Sequence, residues 1–366
     1  MRREKKLLRS LRGDNIRDSG SNTSNKIIET FTSDIEEFFN IYEKEILDNG
    51  IRYYVNPRDV FSIDDFKKRI AKYLPTLNIE MKYVYGEFVI EAFLRRDEKD
   101  NYWINIILFI ATVATTTFVG ASFSPDFSLL EGMKFSFAIM FVLGSHEMGH
   151  YIIAKRWGMK TSLPYFIPFP TIVGTLGAII RHKGAIPNRK ALFDVGVSGP
   201  LVGIFASIII TAIGLSLPYK AVEGTYIELG TPLLFDLITY IVKPESEVIH
   251  PIAFAGWVGM LVTFFNLIPA GQLDGGHILR AMLGKKADRI SRIMPMLVIA
   301  TGLIYTTLFK QDSILIFWGL VVFIFSMQRH PEPLDDEEEI DMRRYLIGIF
   351  TFIIGILCFN PAPIRI

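Results

Sequence analysis

"FVLGSHEMGHYIIAKRWG", residues 141–158, carries His146, Glu147 and His150 as H-E-x-x-H inside an otherwise apolar run. On a helix, positions i and i+4 lie one turn apart on the same face. His146 and His150 can therefore offer two imidazole nitrogens to one ion. Glu147 does not share that face fully and reaches a metal-bound water instead, the two-His-plus-base arrangement of zinc hydrolases. The chain has only six histidines, and two of them stand four apart around a glutamate. Ionisable groups at membrane depth are costly unless paired or coordinated, so their presence marks function. His146 and His150 are candidate metal ligands, and Glu147 is the candidate general base.

The apolar setting extends far beyond this stretch. Half of the 366 residues are hydrophobic. A spanning helix needs about 20 mainly apolar residues. Runs at 103–122, 135–156, 191–217, 252–282, 293–309, 313–328 and 345–360 are expected to span, the fourth broken by Pro269, Gly271, Gly275 and Gly276. The expected fold is thus a polytopic α-helical membrane protein of about six or seven spans. Residues 103–282 form its core and 293–360 add further helices.

Ahead of the spans the chain is charged and polar. Residues 1–26 read as a disordered basic tail without the apolar run of a secretory signal. Residues 27–100 read as a small soluble α+β domain, at which a partner or regulator is expected. "IIETFTSDIEEFFNIYEKEILDNG" has helical spacing up to Gly50, "SIDDFKKRIAKYL" is a short helix capped by Ser62, and "IEMKYVYGEFVIEAFLRR" is a hairpin around Gly86. The net charge of +1 gives no global basic field for nucleic acid. A single cysteine excludes a Cys-based metal cluster and an intrachain disulfide.

Loop charges set orientation. Lys155, Arg156, Lys160, Arg181, Lys183, Arg189 and Lys190 share one loop; Lys285, Lys286, Arg289 and Arg292 share another. The opposite loops hold only Lys134, Lys220, Lys243 and Lys310. The positive-inside rule places the richer loops, and the N-terminus with them, in the cytoplasm of a multi-pass cell-membrane protein. The acidic "LDDEEEID" from Leu334 reads as a solvated loop, and Asp194 as a charge at a favourable helix start.

A catalytic zinc takes three protein ligands and keeps a position for water. The third is sought in "FFNLIPAGQLDGGHILRAM", residues 264–282, where proline and glycines break the helix. Irregular backbone at membrane depth is tolerated where it is buried in protein or lines a watery cavity. Asp274 is the expected ligand, with His277 as its rival or a supporting neighbour.

With "HEMGH" in one span and "NLIPAGQLDGG" in a later one, residues 103–282 resemble the site-2 protease family of intramembrane zinc metalloproteases. "VGTLGAIIRHKGAIPNRKALFDVGVSGPLVG", residues 173–203, is similar to archaeal, bacterial and plastid members. The resemblance implies Zn2+ bound by His146, His150 and Asp274, Glu147 as base, and Asn266 as a residue that binds substrate or polarises its carbonyl. It implies cleavage of transmembrane segments of membrane-anchored, regulatory proteins within the lipid bilayer. A metal-ion transporter using the same His/Asp set is the alternative.

"SLPYFIPFPTIVGTLGAII", residues 162–180, holds prolines that exclude a regular helix through its first half and then β-branched residues and glycines. A membrane-associated strand or hairpin is expected, with Gly174 and Thr175 on an edge that pairs with an extended substrate segment.

Overall fold

In the computed structural model the described residues are 19–365, apart from 48–49, 59–61, 74–75, 85–86, 95–101, 182–185, 220–227, 247, 311–312, 328–332 and 334. The chain divides into two units, Met1–Lys99 and Asp100–Ile366.

In the first unit, helix α1 (Ser19–Phe38) leads directly into β1 (Phe39–Leu47), followed by β2 (Gly50–Pro57), α2 (Ile63–Ile70), β3 (Leu77–Val84) and β4 (Glu87–Leu94). The strands form an antiparallel sheet in the order β1-β2-β4-β3. Phe31 and Ile35 of α1 and Phe66 of α2 bury against Phe39, Tyr53, Val55 and Ile90 of the sheet. The Ser62 hydroxyl accepts from the Asp65 N–H at 3.3 Å, as the expected cap. Two expectations change. Residues 19–26 are helical rather than a disordered tail; residues 1–18 lie outside the described residues. The helix expected up to Gly50 ends at Phe38, and 39–47 form a strand. Pairing with β2 outranks the helical spacing there, and Gly50, a helix stop by sequence, instead opens β2 opposite Leu47.

The second unit is helical. Its elements are α3 (Tyr102–Ser122), α4 (Leu129–Arg156), β5 (Tyr165–Pro168), β6 (Thr175–Ile179), α5 (Arg189–Leu215), β7 (Glu228–Leu229), α6 (Leu233–Val242), α7 (Pro251–Asn266), α8 (Asp274–Leu283), α9 (Ala287–Phe309), α10 (Leu315–Ser326), α11 (Met342–Leu357) and β8 (Ile364–Arg365). Among the described residues, four stretches are long and apolar enough to cross a membrane: α3, α4, α5 and the run Asp274–Phe309. The expected spans at 313–328 and 345–360 are the shorter helices α10 and α11. Helix α6, a largely apolar helix of ten residues, falls below the length that a span pattern detects.

The fourth expected span is two helices. Helix α7 ends at Asn266 and α8 starts at Asp274, so Pro269 and Gly271 lie in the break, whereas Gly275 and Gly276 are helical. Gly271 is in the left-handed region, with φ +49°. Gly275 and Gly276 are needed for close approach, because a Cβ on either would overlap the backbone of 267–271. The chain thus folds back tightly on the first turn of α8.

Helices α4, α5 and α7 pack as the core, around Phe135, Ile139, Leu143, Ile204, Trp257 and Met260. Small residues bring their backbones together, as in membrane helix pairs generally. A Cβ at Gly149 would sit 2.6 Å from the Ser198 carbonyl oxygen. The expected hairpin exists: β5 and β6 pair antiparallel. Helix α3 holds it. Asn105, 6% exposed, donates both amide hydrogens, to the Leu163 and Pro164 carbonyls at 3.0 Å each. The Thr115 hydroxyl donates to the Gly174 carbonyl at 2.7 Å.

Candidate metal centre

His146 and His150 lie on one face of α4, within its last three turns, and both are buried. Asp274 opens α8, where the tight fold of 267–273 aims it at them. His146 Nε2 and Asp274 Oδ2 are 3.1 Å apart. His150 Nε2 and Asp274 Oδ1 are 3.3 Å apart. The two Nε2 atoms are 3.2 Å apart. Among the described residues these three are the group that could hold a metal ion.

The spacing suits one ion. Two ligand atoms at zinc-like bond lengths of 2.0–2.1 Å from a tetrahedral centre lie about 3.3 Å from each other. All three observed separations fall near that value. Three nitrogen and oxygen donors also leave the fourth position of a tetrahedron open, the arrangement of catalytic rather than structural sites.

Helix α5 closes the back of the site. His150 Nδ1 lies 2.8 Å from the Val195 carbonyl oxygen. A Cβ on Gly199 would overlap the His150 ring, and one on Gly203 would sit 2.9 Å from His146 Nδ1. The glycines of "DVGVSGPLVG" thus make room for the two imidazoles, a signal present in the sequence but readable only once α5 is known to face α4.

The other expected residues divide. Glu147 is half-buried beside the pair, one residue after His146 on α4. Asn266 ends α7 with its Nδ2 3.5 Å from His146 Nε2. His277 falls outside the trio; its Cβ faces Gly196 of α5. Gly174 and Thr175 are buried. The Thr175 hydroxyl donates to the Ile167 carbonyl at 2.8 Å and accepts from the Gly177 N–H at 3.0 Å. Both residues therefore build the hairpin, while Leu176 and Ile179 are exposed along β6.

Two readings of charged residues are corrected. Asp194 is no merely solvated helix-start charge: it accepts two bonds from Arg344 of α11, each 2.8 Å, and one from the Trp157 indole N–H at 3.1 Å. The acidic stretch before α11 is likewise engaged. Asp336 takes a two-armed bond from Arg280, Glu338 pairs with Lys190, and Asp341 caps α11. Charge pattern alone does not show which carboxylates find partners distant in sequence.

Residues 134–308 match the family model described as Peptidase family M50. A similar curated protein is "Probable zinc metalloprotease EGY2, chloroplastic" of Oryza sativa subsp. indica, 32% identical over 250 residues, which cover 64% of this chain and 44% of that relative. The Arabidopsis thaliana protein of the same name is 31% identical over 249 residues, covering 64% and 43%. "Probable zinc metalloprotease EGY1, chloroplastic" of Arabidopsis thaliana is 29% identical over 302 residues, covering 72% and 53%. The chain spans about half the length of these relatives or less. No solved structure matches it.

Proposed function

We propose, from the premise that this chain is a member of the site-2 protease family through residues 134–308, that it is an intramembrane zinc metalloendopeptidase. Its substrates are transmembrane segments of membrane-anchored, regulatory proteins. The observation that carries this reading is that Asp274 converges at tetrahedral spacing on His146 and His150, which lie inside an apolar helix of 28 residues. Nothing among the described residues favours the alternative of a metal transporter.

His146, His150 and Asp274 hold the zinc. Zinc bound there supplies the Lewis acidity that activates water and polarises the scissile carbonyl. Glu147 takes the proton from the attacking water and returns it to the leaving amine. The Asn266 amide, next to His146, donates to the oxygen on which negative charge develops. Val195 fixes the His150 ring so that Nε2 points into the site.

A peptide bond within a transmembrane helix is shielded by that helix's own hydrogen bonds and has to be extended before attack. Among the described residues β6 has one strand neighbour, β5, so its other edge is available for strand addition. Gly174 and Thr175 shape the hairpin, and residues 176–180 present the edge.

The loop charges support a cytoplasmic N-terminus, with the soluble first unit on that side, in a multi-pass protein of the cell membrane. His150 precedes the end of α4 by six residues, about 9 Å at 1.5 Å per residue. Lys155 and Arg156 then mark the surface from which water reaches the site.

The test is metal content. The purified chain should hold one zinc per molecule, and His146→Ala and Asp274→Ala should lose it. Full zinc occupancy in both variants would remove this site from the account.

A further inference from the structure

Asp274 sits on a helix of only ten residues, reached through an irregular break, so something besides its own loop has to fix its aim. Helix α8 is anchored most heavily at the far end, by residues that no reaction step uses. Arg280, six residues after Asp274, is 3% exposed. Its Nη1 and Nη2 donate to Asp336 Oδ1 and Oδ2, each at 2.8 Å. Arg189 of α5, also buried, donates from Nε to the Ala281 carbonyl at 2.9 Å and from Nη2 to the Met282 carbonyl at 3.0 Å. The Tyr345 hydroxyl of α11 donates to the same Met282 carbonyl.

The segment bearing Asp336 is itself fastened to α5. The Asp335 N–H donates to the Pro187 carbonyl at 3.0 Å, and Glu338 pairs with Lys190 and Asn188. Helix α5 is also the element whose Val195 carbonyl fixes His150. One rigid helix therefore supports a ligand from α4 directly and, through residues 335–338 and Arg280, the helix carrying the third ligand.

We infer that the Arg280–Asp336 pair is a brace that aims Asp274 at His146 and His150, making Arg280 and Asp336 positioning residues for the metal. This rests on the zinc reading above. Arg280 lies within the family-matched residues 134–308 and Asp336 beyond them, so the acidic half of the brace comes from the C-terminal part of this chain. The geometry suits the task. A guanidinium gripping a carboxylate with two parallel bonds fixes orientation as well as distance. A ten-residue helix is short enough that a tilt at Arg280 moves Asp274, about 9 Å away along the axis. Outer residues that orient ligands typically change metal affinity 10- to 100-fold when removed.

The experiment measures zinc affinity on the full chain in detergent, by competition with a chromogenic chelator, well below the unfolding temperature of each protein. Asp336→Asn removes the charge and one arm of the fork; Arg280→Lys keeps the charge and loses the fork. Should either fail to fold, Arg280→Met combined with Asp336→Leu leaves no buried charge unpaired and is read by the same criterion. The brace predicts at least about tenfold weaker zinc binding in every folded variant, with recovery in Asp336→Glu. A smaller loss in folded variants would overturn it, since a pair that only stabilises the fold leaves the affinity of folded molecules alone. A wild-type chain that binds no zinc would instead overturn the metalloprotease reading itself.

Discussion

The Val195 carbonyl oxygen lies 2.8 Å from His150 Nδ1. A carbonyl only accepts, so the proton of that ring sits on Nδ1 and the lone pair of Nε2 is left facing Asp274 and His146. Helix α5 thereby sets the tautomer of a residue on α4. The contact is possible because Gly199 and Gly149 let the two helices approach closely.

Gly199→Ala should therefore weaken zinc binding by at least about tenfold, an effect of the size seen when ligand orientation is disturbed. The added Cβ would overlap the His150 ring and force it off its bond to Val195. Gly144→Ala, on the same helix as His150, is the control. Its Cβ would meet only the tip of Phe166 at 3.6 Å, and zinc affinity should stay at the wild-type level. Metal titration of the two purified variants checks the contrast.

The hairpin makes a separate prediction. Asn105→Leu removes two bonds and Thr115→Val one from the grip of α3 on residues 163–174. Side-chain hydrogen bonds between membrane helices contribute about 0.6–2 kcal/mol each. Both variants should raise KM for a transmembrane substrate several-fold and leave zinc content unchanged. Thr175→Pro should go further and shift or abolish cleavage. Mass spectrometry of the products reads this directly, and an unchanged cleavage position at an unchanged rate would remove strand addition from the account.

The first unit carries a pH dependence of its own. Burial pushes the Asp34 carboxyl up, but bonds from Lys72 at 2.7 Å and the Tyr73 hydroxyl at 2.5 Å outweigh it and leave its pKa below the usual 3.8. Glu91 follows the same logic: burial opposes, Lys82 at 2.6 Å and Arg52 at 2.7 Å prevail, and its pKa falls below 4.5. A lowered folded-state pKa gives stability that is fully present above the unfolded value and lost as the pH falls through the folded one. The unit should accordingly be insensitive to pH between 6 and 8 and weaken below about 4. Hydrogen-exchange protection of β2 and β4, corrected for intrinsic rates, is the measurement. Asp34→Asn should flatten part of the acid dependence.

Asp194→Asn should loosen α11. It leaves Arg344 with a neutral partner in a fork that now has two bonds of 2.8 Å. Charge-assisted bonds are about twice as strong as neutral ones, so a loss of about 1–2 kcal/mol is expected, read as a lower unfolding temperature in detergent. Because Trp157 shares the same carboxylate, its fluorescence should change in the same variant.

Much of this arrangement is legible in the sequence where chemistry is local. The i,i+4 histidines, the apolar length of α3, α4 and α5, the Ser62 cap and the break before Asp274 are properties of short windows. The rest depends on partners far along the chain. Residues 39–47 carry a helical spacing, yet their strand partner decides their state. The acidic residues at 335–338 look solvated until Arg280 and Lys190 are placed beside them. Asp274 is the expected ligand and His277 its rival by sequence, and the placement of both against α4 becomes visible only with the fold of 267–283.

In the proposed mechanism Glu147 works as the base beside a metal held by His146, His150 and Asp274. Its most direct test compares the wild-type chain with Glu147→Gln, both purified in detergent with zinc bound and mixed with a model transmembrane substrate. General bases contribute about 10²- to 10⁴-fold. Glu147→Gln should keep its zinc and cleave at least a hundredfold more slowly, and a zinc chelator should silence the wild type. Equal cleavage by the two proteins, or wild-type cleavage indifferent to the chelator, would contradict that mechanism.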